Sequence, residues 1–93
     1  MEHRLKHPVE LNDKDGNVVQ RIDSLELRRF KGADVAAIGN ANAKGAGEAL
    51  RVMVCRMAGI PPSTFDQLDG QDVTELGEVA AGFLGGALPI GAQ

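Results

Sequence analysis

The chain has 93 residues and a formal net charge of −3, a length that fits one domain with a limited core. Hydrophobic residues make up 43% of it, which excludes a disordered polar tract. The acidic balance, and aromatics confined to Phe30, Phe65 and Phe83, argue against non-specific nucleic-acid binding, which needs a basic face or stacking platforms.

The single cysteine, Cys55, forbids an internal disulfide and fits a reducing cytoplasm. Met1–Pro8 lacks the apolar run of a signal peptide, and no apolar stretch approaches the roughly 18 residues of a membrane span. The expectation is a soluble cytoplasmic protein. Because so small a core is marginal alone, self-association is also expected.

In chain order, Leu5, His7, Val9 and Leu11 alternate with Lys6, Pro8 and Glu10, which predicts a half-buried strand. Pro8 cannot donate to a ladder, so this is an edge strand. Asn12–Asn17 predicts a hairpin loop turned by Asp15-Gly16. Val18, Gln20 and Ile22 share one phase, and Leu25 and Leu27 the other. A bulge near Asp23-Ser24, or a second short strand, would reconcile them. The strand pattern extends to Phe30.

Lys31-Gly32 breaks that pattern. Asp34 is placed to cap a helix through Val35–Ile38, which Gly39, Asn40 and Asn42 weaken and Lys44–Gly47 interrupts. The second helix carries the stripe Leu50, Met53, Val54 and Met57, with Arg51 and Arg56 off it. Gly59 and Pro61-Pro62 stop it. Ser63 caps a short turn through Gln67. Asp69 then caps the third helix, and Asp72 at its third position accepts from backbone N–H groups. Asp72 and Glu75 also suit the positive end of the helix dipole. The stripe of this helix is Val73, Leu76, Ala80, Phe83 and Leu84, with Val79 alongside, and Gly85-Gly86 ends it. Residues 86–93 read as a flexible apolar tail. The fold class is α+β: an N-terminal β-hairpin or small meander, then two or three helices, in one domain over 1–93.

Reactive constellations fail on spacing. His3 and His7 are four apart, which suits a metal on a helix, but they fall in a strand beside Pro8. Reading Gly16 as the sixth residue of a calcium loop puts Leu11 first and Ile22 twelfth; Gly70 gives Phe65 and Leu76. Lys44 precedes its glycine and no hydroxyl follows, unlike a phosphate loop. Cys55 has no histidine near it in sequence and reads as a small buried residue. Asp66, Asp69 and Asp72 lack a partner base, and capping explains their spacing. The reading is therefore non-enzymatic, without cofactor or metal. The apolar stripes are core first. Met53, Met57, Val79, Phe83 and Leu84 are in addition the residues expected to serve client or self-contact, because methionine-bearing amphipathic helices suit groove-type binding.

The layout and three segments resemble a known family. They are the hairpin start Pro8-Val9-x-Leu11, the strand Leu25-Glu26-Leu27-Arg28, and Phe65-Asp66-Gln67-Leu68-Asp69-Gly70-Gln71-Asp72-Val73-Thr74-Glu75-Leu76. Together they resemble the small tail assembly chaperones of long-tailed phages and prophages, over most of residues 7–84. The Gly- and Ala-rich middle, Gly39–Gly47, departs from the family pattern. The resemblance implies a non-enzymatic protein that binds the helical tape measure protein before the tail tube polymerises around it. It further implies that the client is kept soluble in the host cytoplasm, and that the chaperone is absent from the mature virion. In many relatives a ribosomal frameshift makes a longer product that helps recruit the tail tube protein. Two rival readings are an oligomeric structural or adaptor component of a phage tail, and a small nucleic-acid-binding regulator using Arg28, Arg29 and Lys31. The net charge speaks against the latter.

Overall fold

The computed structural model describes residues 1–84; the tail expected over 86–93 lies outside the described residues. Two strands, β1 (Glu2–Asn12) and β2 (Val18–Glu26), are followed by α1 (Gly32–Asn42), α2 (Ala46–Ala58), a single-turn α3 (Pro62–Phe65) and α4 (Gly70–Leu84). The class is α+β, with the hairpin first and the helices after it.

The strands pair antiparallel through the turn expected at Asp15-Gly16. Gly16 takes φ 83°, and its N–H donates to the Asp13 carbonyl at 3.0 Å. One Asp13 carboxylate oxygen accepts from the N–H groups of Asp15 and Asn17, each at 2.9 Å. This closes the loop locally, as Asx turns do.

The bulge is in the other strand. Arg4 pairs with Ser24, and the next pair is Val9 with Ile22. Leu5, Lys6, His7 and Pro8 therefore face Asp23 alone. Ile22 and Leu25 both pack on the core, so the phase change in β2 is real, but the surplus residues at this point belong to β1; a second shift, between Leu11–Gln20 and Asn12–Val18, leaves Val19 as a surplus residue of β2. A slip between paired strands does not say which one carries the insertion. The bulge bends the ribbon, and Leu5, Val9 and Leu25 all reach the core.

β2 stops at Glu26, short of the expected Phe30. The Arg28 N–H donates to the Met57 carbonyl at 2.9 Å, so this segment is tied to the end of α2 rather than to a strand. α1 begins before Asp34 and continues through Gly39 and Asn40 to Asn42. Burial of Ile38 and Ala41 and packing on α2 override the weak propensities. α2 ends at Gly59, which adopts φ 67°, ψ 37°. Its N–H and that of Ile60 both return to the Cys55 carbonyl. Gly59→Ala forces a Cβ into the left-handed region and should cost about 1 kcal/mol, measured as a shift in the urea midpoint at unchanged slope.

The core joins Leu5, Val9, Leu25 and Leu27 to Val54, Met57, Leu68, Leu76 and Ala80. α2 and α4 approach closely at Gly77, where a Cβ would lie 3.0 Å from Leu50 Cδ1.

Candidate partner-binding surface

The position of α4 is fixed by Asp72. Its residue is fully buried, and its two carboxylate oxygens accept from the backbone N–H groups of Lys6 and His7, at 2.8 and 3.0 Å. Those two amides lie in the β1 bulge, where among the described residues neither has a ladder partner. A carboxylate replaces the missing strand, so the helix and hairpin are joined by charge-assisted bonds. The sequence reading directed Asp72 to backbone N–H groups at the start of its own helix. The structure directs it across to β1, because the side chain points away from the helix axis toward the bulge. Asp69 stays local, its Oδ2 accepting from Gln71 N–H at 2.9 Å.

Charged side chains complete this junction. Lys6 Nζ pairs with Glu75 at 2.5 Å, and that partner raises the lysine pKa. His7 Nε2 meets the Gln71 side-chain oxygen at 2.9 Å and lies 3.7 Å from Asp69. The hydrogen bond to Gln71, then the Asp69 charge, raises its pKa. His3 turns inward, with Nε2 buried, without a hydrogen-bond partner among the described residues, and 3.8 Å from Glu75 Oε1. His3, Asp72 and Glu75 offer ligand atoms within 4.8 Å of one another. Both Asp72 oxygens already hold amides and Glu75 faces an ammonium, so the group reads as an ion-pair and capping network. Spacing along the chain could not have found it, since His3 and Asp72 meet only through the tertiary fold.

A second clamp holds α1. Asp34 is buried and accepts from Arg28 Nη1 and Nη2 at 2.7 and 3.0 Å, from Arg56 Nη1 at 2.8 Å, and from Lys31 N–H at 2.8 Å. These donors, Arg28 first, hold its pKa well below the usual carboxylate range. The basic cluster read in sequence is thus partly engaged within the fold: Arg28 on Asp34, and Arg29 over the Phe83 ring at 5.7 Å. Cys55 is half-buried, and desolvation pushes its thiol pKa up, the reverse of an activated thiolate.

The five residues expected to form a binding surface separate in the fold. Met57 is 0% exposed and belongs to the core; in the folded single chain it offers no surface. Met53, Val79 and Phe83 are half-buried and lean on that core, as do Phe30 and Ile60. Leu84 is half-buried at the last described position. Phe30 meets Phe83 edge to face, with centroids 6.3 Å apart and planes at 83°. The alternating pattern extends the strand to Phe30, whereas β2 ends at Glu26 and frees Phe30 for this pair. Helix stripe position identifies a core-facing side but does not divide its centre, Met57, from its margins, Met53 and Val79.

The fold and its surface define the class: a small α+β domain, a hairpin locked onto a helical layer with a half-buried apolar margin. The chain belongs to the phage tail assembly chaperone family. The family model described as "Phage tail assembly chaperone proteins, E, or 41 or 14" matches residues 2–85, from the start of β1 to just past α4. No curated protein and no solved structure gives a match.

Proposed function

We infer that this chain acts as a non-enzymatic chaperone that binds the tape measure protein in the host cytoplasm and keeps it soluble until the tail tube assembles. The observation that carries the reading is family membership over residues 2–85. The physical chemistry is compatible. A long tape measure helix exposes apolar stripes, and a helix margin such as Met53, Val79, Phe83 and Leu84 offers a surface to cover them. Weak contacts suffice where many copies bind one client.

The test is co-expression with the tape measure protein. Phe83→Ser with Leu84→Ser should leave the circular dichroism spectrum and cooperative melting in place while the soluble client fraction falls several-fold. Loss of folding together with loss of client solubility would assign both residues to the core. Client solubility unchanged by the variant would remove this surface from the proposal.

A further inference from the structure

Few side chains of the outer hairpin are covered. From Asn12 through Arg21 every residue is exposed, and Val18 and Val19 are large apolar side chains at 53% and 64% exposure. A two-stranded ribbon is marginal in water without a third strand or a covering layer. Among the described residues no strand pairs with the outer edge of β2. A shallow groove runs along that strand, lined by Gln20 through Glu26 with Ile60 on one side.

The edge has a readable polarity. Leu27 and Met1 exchange hydrogen bonds, with Leu27 N–H to the Met1 carbonyl and the Met1 ammonium to the Leu27 carbonyl. Leu27 therefore turns its backbone groups toward β1. Alternation along an antiparallel strand then turns those of Glu26, Ser24, Ile22 and Gln20 outward. A two-fold axis brings the same edge of two copies together antiparallel. With Ile22 on the axis, Arg21 lies opposite Asp23 of the second copy, and Asp23 opposite its Arg21. Gln20 also lies opposite Ser24, twice. Centring on Gln20 instead sets Arg21 against Val19, and centring on Ser24 sets Asp23 against Leu25. Only the Ile22 register matches charge with charge. Within one chain Arg21 Nε donates to Asp23 Oδ1 at 2.8 Å and its Nη1 to Glu10 Oε2 at 3.4 Å; these are exposed pairs, so pairing with a second copy exchanges them for cross-strand ones at small cost.

We propose that β2 is a self-association edge, pairing antiparallel about Ile22 with β2 of a second copy to make a four-stranded intermolecular sheet. The occupant is another copy of this chain, selected by the reciprocal Arg21–Asp23 match. Val18 and Val19 are covered at the ends of the new sheet. The inference stands apart from the identity of the client, since it uses the hairpin and not the helix margin.

Sedimentation of the full chain across a concentration series tests it. The wild type should show a concentration-dependent dimer that weakens with salt. Arg21→Asp places carboxylate against carboxylate, and Asp23→Arg places guanidinium against guanidinium. Each variant alone should raise the dimer Kd by about tenfold or more, from two reversed cross-strand pairs. Mixed in equal amounts, the two variants should restore association, because both cross-strand pairs then set a carboxylate of one variant against a guanidinium of the other. Ile22→Pro, which removes the outward N–H at the axis, should abolish the dimer, with melting cooperativity checking the fold. A wild type that stays monomeric at every concentration overturns the proposal. So does a dimer that neither charge variant weakens, or one that the mixture fails to restore.

Discussion

Asp72→Ala should destabilise the protein by about 3 kcal/mol. Two charge-assisted hydrogen bonds are lost, and two amides in a bent strand lose the carboxylate that accepts from them. Asp72→Asn should cost about 2 kcal/mol, because one oxygen can still accept while the new amino group faces an N–H donor. Urea denaturation gives the stability change, and amide hydrogen exchange at Lys6 and His7 locates it. Those two amides should lose protection first, ahead of the strand amides on either side. A variant within about 0.5 kcal/mol of wild type would mean that water serves the bulge as well as the carboxylate does.

Asp34→Asn should cost about 2 kcal/mol. That is less than for a fully buried pair, since both arginines are partly in water and screened. Its larger signature is in pH. The Arg28 and Arg56 donors hold the folded-state pKa of Asp34 below its unfolded value of roughly 3.9. A depressed carboxylate pKa contributes stability that is fully present above the unfolded pKa and is lost as pH falls toward the folded one. Wild-type stability should therefore drop as pH falls below about 4, and the Asp34→Asn curve should be flatter in that window. Parallel curves for the two proteins would place the acid sensitivity on another carboxylate.

Local signals were legible where one residue type solves one backbone problem. Gly16 and Gly59 take left-handed conformations, at the turn and the stop that the sequence predicts. The α2 and α4 stripes found Val54, Leu76 and Ala80, which are buried in the structure. Features made by two distant segments were not legible. The bulge was visible only as a phase slip in β2, while its four residues lie in β1. Asp72 has the spacing of a helix-start acid, and spacing cannot report that its carboxylate leaves the helix for Lys6 and His7. Asp34 likewise has the position of a cap, yet the arginines that pair with it, Arg28 and Arg56, come from the segment after β2 and from α2. Met57 and Met53 share one stripe, and only packing shows the first as core and the second as margin.

The bond between Asp72 and the β1 bulge also sets an order of events. Its partners are 65 and 66 residues apart, so the contact closes most of the described chain into one loop. Such a closure must be entropically met before it yields any gain. The β1 bulge therefore waits for a helix that is synthesised more than 60 residues after it. Until Asp72 arrives, the amides of Lys6 and His7 lack this acceptor, while the far end of the hairpin can already rest on α2 through Leu25, Leu27 and the Arg28–Met57 backbone bond. Docking of the hairpin bulge on α4 thus follows the synthesis of α4.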